Sequence, residues 1–410
     1  MMNVSLKMKS APFVLLVISV VSCSKFSREI KEIDYSSPYP LSSTLEDKLE
    51  QDTLAWRYQI SADDFARNGD YRNAIDKWDS ARHSRKTDVS KAEIDSINNR
   101  YSVKNAKEYI LEKAKENQIV IINEAHHNSR HRVFTKSLLS DLYKLGYRNL
   151  GLEALNNGKA LDSALNERGF PIQESGYYVQ DPQFGNMVRT ALELGFNVFA
   201  YENFKGGGQI DREKGQANNI AQVIKNKPNE KFLIHCGFAH ALEGPYPHWG
   251  KAMAQRVKDI TGIDPYTINQ TAYNEKSHPD LNPPILKAID INESSVLIDQ
   301  NNEAIKYQRG QAYTDLVILH PTTEFINNRP EWLFDNGNQQ VNIQLDEIEL
   351  EPPFMILAYK EGEDIHKGIP MDISEVKKGR SSAMLALPKG EYTMIVTDEI
   401  KSFKFNHKVK

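Results

Sequence analysis

This chain is poor in cysteine: two in 410 residues, Cys23 and Cys236. A framework of disulfides is therefore excluded, and stability must come from packing. One-sided charge is absent too. Fifty-one Lys and Arg against 55 Asp and Glu leave a net charge of −4, which makes nucleic acid a poor partner. The apolar run at 11–21, "APFVLLVISVV", is too short to span a bilayer as a mature helix. No Gly-x-Ser-x-Gly elbow occurs, and no Gly-rich loop carries the Lys-Ser/Thr signature that cradles phosphate. "KGGGQ" (205–209) precedes a helical stretch but reads as a hinge. If the chain is an enzyme, water is its nucleophile.

The apolar run follows Lys7 and Lys9 and ends at "VVSCSK", as the core of a secretory signal does. Cys23 after Val20, Val21 and Ser22 resembles a bacterial lipobox, where the signal is cut before the cysteine and the thiol takes a diacylglycerol. Acyl chains contribute about 0.8 kcal/mol per buried methylene. The expectation is a signal peptide over 1–23 and a mature chain lipid-anchored in the bacterial envelope, at the outer membrane. With Cys23 lipidated, Cys236 has no disulfide partner; it reads as a small buried residue.

Composition, at 40% hydrophobic and 26% charged, is that of a globular protein too long for one core. Residues 24–45 are polar, with Pro and Ser, and read as a tether; the region 24–104 continues with helical periodicity. Ala62, Phe65 and Ala66 share one stripe, Gly69 is a stop, and Tyr71, Ala74, Ile75 and Trp78 form a second. This resembles one tetratricopeptide-type hairpin. One unit cannot make a solenoid, so a small helical subdomain on the main body is expected. Residues 105–330 alternate apolar, β-branched runs ("QIVIIN", "RNLGLE", "NVFAY", "KFLIHCG", "PYTINQ", "DLVILH") with helix-like stretches. That predicts an α/β domain with a mainly parallel sheet flanked by helices. Residues 271–313 break the rhythm and are expected to hold a long loop or lid with extra strands. Residues 337–410 carry short runs with Gly and Pro turns, which predict a small antiparallel β-sandwich.

In a parallel sheet the carboxyl ends of the strands share a rim, and ligands bind there. The first strand delivers Glu124, His126 and His127, the second Glu153, the third Glu202, the fourth His240 from "CGFAH", the fifth Asn269 and Gln270, the sixth His320. His126 and His127 are adjacent, so one of the two is expected to enter the pocket. Arg130, His131 and Arg132 fall in the first turn of the next helix, where the dipole disfavours cations; an anion is expected nearby, either Glu124 or Glu153 or an anionic ligand. In "DREKGQANNIAQVI" (211–224), Asp211 suits an N-cap. Ala217, Ile220, Ala221 and Ile224 make the buried stripe, while Arg212, Gln216 and Asn219 form a polar face that can look into the rim. His235 lies mid-strand and reads as a core histidine, His131 as a satisfied first-turn residue. His248 and Trp249 read as a cap on the pocket or as packing.

The pieces "NEAHH", "GLEAL", "DREKGQANNI" and "CGFAH", in that order and spacing over about 105–270, resemble the erythromycin-esterase-like and ChaN-like superfamily. There a Gly-Glu-x-x-His or Gly-Glu-x-His loop follows the first strand; here Asn123 stands in place of the Gly, and His127 and Arg132 depart from the ChaN-like run. The esterase-like branch implies hydrolysis of an ester. The ChaN-like branch implies haem binding by a membrane-anchored lipoprotein, with axial ligands from the histidines or Tyr177, Tyr178, Tyr201 or Tyr246.

From the residues, the candidate catalytic set is Glu124, His126, His127, Glu153, Arg212 and His240. A His with a carboxylate partner can take a proton from water, and Arg212 can stabilise an oxyanion. Alternatively Glu124, His126, Glu153 and His240 hold a divalent metal, zinc or manganese, that lowers the pKa of water. The expected ligand is a small molecule.

Overall fold

A computed structural model of the chain describes residues 29–82, 85–345, 348–380 and 382–410. The expected signal peptide and Cys23 lie outside the described residues. Helices α1 (Arg57–Arg67) and α2 (Tyr71–Arg82) form the hairpin whose stripes the periodicity marks. Ala62, Phe65, Ala66 and Ala74 are buried in it, together with Leu45 from helix Ser42–Gln51. Gly69 turns the chain with φ +76, and a Cβ there would stand 2.9 Å from the Ile373 carbonyl oxygen. A left-handed backbone and a close neighbour both call for glycine.

The centre is a six-stranded sheet. Its strands are β1 (Ile119–Glu124), β2 (Tyr147–Leu152), β3 (Asn197–Ala200), β4 (Lys231–Gly237), β5 (Tyr266–Asn269) and β6 (Leu316–Val317). Their spatial order is β6-β5-β1-β4-β2-β3, and every pairing is parallel. All six residues of β1 are buried, because both faces are covered and no polar side is needed. Val120 and Ile122 join a cluster with Leu138, Leu142 and Val188, from helices α3 (Arg130–Lys144) and α4 (Pro182–Leu194). Ile119 and Ile121 face the other way, onto Ala217, Ile220 and Ile224 of helix α5 (Gln209–Asn226). Each such aliphatic side chain contributes about 1.5–3 kcal/mol by leaving water.

Strand order decides where the rim residues meet. The chain goes from β1 past one position to β2, and β4 later enters the gap. The carboxyl ends of β1, β4 and β2 thus lie side by side, with Glu124 opposite Gly237 and Leu152 opposite His235.

The 271–313 segment holds a short helix, Pro284–Ala288, and a strand, Ser295–Ile298, paired with Ser102–Asn105. It ends in a two-stranded ladder, Tyr307–Arg309 with Ala312–Thr314. The C-terminal region is antiparallel. Strands Phe354–Lys360, Asp372–Val376, Gly390–Thr397 and Ser402–Val409 form a sheet that Lys31–Ile33 completes at one edge. Gln339–Gln344 pairs with Ser382–Leu387. This region is held to the α/β body by buried ion pairs, Arg189 with Glu363 and Arg329 with Asp372. Among the described residues no helix is long and apolar enough to cross a membrane.

Candidate active site

β1 ends on Glu124, which is 1% exposed. A buried carboxylate needs a strong partner, and the first turn of α3 supplies it: Arg132 donates from Nε to Oε2 at 2.7 Å and from Nη2 to Oε1 at 2.8 Å. Arg132 also pairs with Asp181 at 2.8 Å and donates to the His126 carbonyl at 2.7 Å. Burial alone would raise the Glu124 pKa, but the Arg132 guanidinium outweighs it and holds the carboxyl well below its usual range.

The adjacent histidines part company. His126 turns into the site, its Nδ1 2.9 Å from Glu124 Oε1. Its ring stacks on Tyr178 at 3.9 Å between centroids and meets Phe238 edge-on at 5.2 Å. An ionised Glu124 can only accept, so the bond takes its proton from Nδ1, and in the neutral imidazole the lone pair then lies on Nε2. Among the described residues nothing hydrogen-bonds Nε2, and the side chain is 14% exposed. His127 goes the other way. It stacks on Trp78 of α2 at 4.1 Å, fully enclosed, with Nδ1 unpartnered, and burial pushes its pKa well down. His127 therefore leaves the candidate catalytic set: successive residues of an extended loop face opposite sides, and α2 occupies the second side.

On the next two strands the site is a charged cluster. Glu153 Oε2 accepts from the Gly237 amide at 2.6 Å, and Oε1 from Arg212 Nη2 at 2.5 Å. Arg212 also holds Glu202 through Nε and Nη2 at 3.0 and 2.5 Å. His240 reaches Glu213 from Nδ1 at 2.8 Å and approaches Glu153 from Nε2 at 3.4 Å. Trp249 covers its ring at 5.4 Å. Burial would lower the His240 pKa, but Glu153 and then Glu213 outweigh it, so the imidazole is held above its ordinary value. Glu153 is lowered although burial opposes it, because His240 and Arg212 stand beside it. Arg212 Nη1 lies within hydrogen-bond distance of His240 Nε2, at 3.2 Å, so both nitrogens of His240 are engaged.

The two halves touch at Gly237. A Cβ there would stand 2.5 Å from His126 Nε2 and 3.5 Å from Glu153 Oε2, so only glycine lets the imidazole lie against this strand end. The next residue, Phe238, has φ +41, a strained value for an aromatic residue. Its carbonyl is held by Asn123 Nδ2 at 2.6 Å, and its ring by Trp78 and His126.

Other rim candidates are structural. His320 bonds Ser294 and Gln270 at 2.8 and 3.1 Å. His131 accepts from the Ala125 amide at 3.0 Å, and burial lowers its pKa to about 3. His235 lies 3.6 Å from Glu124 and is lowered to about 4, by burial first. The Cys236 thiol is buried and pushed up by that burial. Helix α5 begins at Gln209 with Gly208 as its N-cap, so Asp211 sits in its first turn rather than before it.

Three residues are new to the site. Glu213 is 0% exposed and accepts from the Met253 amide as well as from His240. Its spacing gives it away: 213, 217, 220, 221 and 224 lie on one apolar stripe, so a carboxylate holds a core position. Asp181 caps α4 through Gln183 and Phe184 and carries Arg132; Asp-Pro ahead of a helical pattern is its signal. Asp63, from α1, has no local signal.

The donor set does not fit a divalent metal. Both oxygens of Glu124 and of Glu153 accept from protein N–H groups, and both nitrogens of His240 face a charged partner. Among the described residues no group of three or more His, Cys, Asp or Glu is placed to hold a metal ion. The tyrosines offered as haem ligands fit poorly. An axial tyrosine must ionise, but burial raises Tyr177, Tyr178 and Tyr201, and Tyr246 accepts from Arg309.

No family model and no curated protein matches the chain. Among solved structures, it is similar to RRSP, a MARTX toxin effector domain from Vibrio vulnificus, at 20% identity over 54% of this chain and 48% of that one, TM-score 0.31. It is also similar to the type III effector HopBA1, at 12% identity over 42% and 85%, TM-score 0.31, and to the C-terminal region of Pasteurella multocida toxin, at 11% over 86% and 54%, TM-score 0.28. The chain spans about half the length of the first of these. Scores this low do not establish a common fold.

Proposed function

We propose that this chain is a hydrolase that activates water with the Glu124–His126 pair and cleaves an ester or related bond of a small molecule. The observation that carries the reading is the state of His126: its Nδ1 is committed to a buried carboxylate, and its Nε2 is open. Nε2 takes a proton from water as the oxygen attacks, and Glu124 stabilises the imidazolium that forms; such general-base help is worth about 10² to 10⁴ in rate. Arg212, whose side chain is 35% exposed, can receive an oxyanion. Glu153 and Glu202 position it, and Glu213 holds His240 against it.

The resemblance to the erythromycin-esterase-like group supports an ester over other acyl compounds. The same reading places the chain on the bacterial envelope through a diacylglycerol on Cys23, with the C-terminal β-sandwich as a structural or docking module. Haem carriage, the ChaN-like alternative, would use the same open His126 Nε2 as its axial ligand rather than a tyrosine.

The test is an ester-hydrolysis screen on wild type and His126→Gln, each before and after chelator treatment. Wild type is expected to hydrolyse with or without chelator, and His126→Gln to lose about 10²-fold or more while its circular dichroism is unchanged. Equal rates in the two proteins would remove His126 from the chemistry. Loss of wild-type activity on chelation, restored by zinc or manganese, would return a metal to it.

A further inference from the structure

Hydrolysis by the base just described needs a proton for the leaving group; the His126 imidazolium can return the one it took, and a separate acid would supply it without waiting for that return. His240 is engaged at both nitrogens and Arg212 does not titrate. The helical hairpin supplies another group. Asp63 and Asp64 are neighbours on α1 with opposite surroundings. Asp64 accepts from Lys48 at 2.6 Å and from the Tyr177 hydroxyl at 2.7 Å, and pairs with Arg67 at 3.3 Å. Asp63 has none of this: among the described residues nothing hydrogen-bonds either of its oxygens, and Oδ1 is sealed from solvent. A sealed polar oxygen without a partner is costly and is seldom kept without a use.

Its surroundings are those of the candidate site. The hairpin brings it there: Asp64 beside it accepts from the Tyr177 hydroxyl at 2.7 Å, and the next residue, Tyr178, stacks on His126 at 3.9 Å, so the charges of His126, Arg132 and Glu124 act on Asp63. Burial pushes its carboxyl up to about 7, against the pull of His126 and Arg132. It thus exchanges a proton near neutral pH, as a group that must donate and be recharged does.

We propose that Asp63, brought by the N-terminal hairpin, is the general acid that protonates the leaving group in the reaction based at His126. As His126 Nε2 takes a proton from water, the water oxygen bonds to the acyl carbon. The bond from that carbon to the leaving oxygen or nitrogen then breaks, and the leaving atom takes the Asp63 proton. The products are the carboxylic acid and the alcohol or amine. The proton on His126 returns to the Asp63 carboxylate through solvent, which restores both groups. The hairpin is then a working wall of the active site.

This inference rests on the hydrolase reading, and two esters with one acyl group separate the two. Ethyl butyrate has a poor leaving group that needs a proton; p-nitrophenyl butyrate has a good one that does not. Asp63→Asn is expected to lose about 10²-fold or more on ethyl butyrate and less than about threefold on p-nitrophenyl butyrate. Wild-type rates on ethyl butyrate should fall above pH 7, whereas the p-nitrophenyl rate should not. Asp63→Glu should recover part of the ethyl butyrate rate. Thermal unfolding gives an independent check. A raised carboxyl pKa favours the fold below the unfolded pKa and loses that contribution as pH rises through about 7, so Asp63→Asn should unfold at a higher temperature than wild type at pH 8 but not at pH 4. Equal losses on the two esters, or none on either, overturn the role of Asp63 and leave His126 standing. No hydrolysis of either ester by wild type overturns both.

Discussion

Arg132 and Arg212 are the same solution applied twice. Each lies in the first turn of a helix, α3 or α5, where the dipole disfavours a cation, and each overcomes that by holding two carboxylates. Arg132 holds Glu124 and Asp181; Arg212 holds Glu153 and Glu202. They differ in access. The Arg132 side chain is 1% exposed and that of Arg212 35%. A fully enclosed guanidinium can only organise what surrounds it. A partly open one has a face left for a third anion, whether ligand or oxyanion. Chemistry that looks duplicated in the sequence is divided by burial into a keystone and a working group.

The largest expected effect follows from the keystone. Arg132→Met leaves two buried carboxylates without a cation, and breaking such a pair costs about 3–5 kcal/mol. Urea unfolding should show that loss at pH 7, and it should shrink in acid. Glu124 has a lowered pKa, so the stability it contributes is present above its unfolded pKa and lost as pH falls through the folded one. If Arg132→Met unfolds within about 1 kcal/mol of wild type, the division between the two arginines is wrong.

The working group should fail differently. Arg212→Met is expected to lower the catalytic rate by about 10² to 10³ and to cost less stability than Arg132→Met, because the Arg212 guanidinium is partly open to water although Glu153 and Glu202 are buried. A rate loss for Arg212→Met matched by an equal loss of stability would make it a second keystone.

Much of this contrast was legible in the sequence, and the limit has a physical origin. Period-2 and period-3.6 patterns fix which side of an element a residue occupies, so the rim of Glu124, Glu153, Glu202 and His240 could be placed from strand ends. The polar face of α5 could be placed from i, i+4, i+7 spacing. Which arginine is enclosed could not be, since Asp181 meets Arg132 only after α4 packs on α3. Nor could Asp63, which reaches the site through tertiary packing of a hairpin some sixty residues upstream. Glu213 was visible as a charge on an apolar stripe, but that stripe was read from Ala217 onwards. The start of α5 was misplaced because Asp211 is a better-looking N-cap than Gly208.

The adjacent histidines carry the same contrast at its smallest scale. His126 faces the site and His127 is clamped against Trp78 with an unpartnered nitrogen. His127→Phe keeps the stacked ring and removes only the titration, so turnover should stay within about threefold of wild type at pH 7. Stability should also change little there, because burial holds His127 neutral and the unfolded imidazole is largely neutral too. Below pH 6.5 the two proteins should diverge. A lowered histidine pKa means the unfolded state takes up the proton first, so wild type loses stability as pH falls, by up to about 1.4 kcal/mol per pH unit for each such group. His131 and His235 act in the same direction and remain in the variant. Chemical denaturation at pH 5 should therefore find His127→Phe more stable than wild type by up to about 2 kcal/mol. A variant equally stable at pH 5 but slower in turnover would mean that His127, not only His126, belongs to the chemistry.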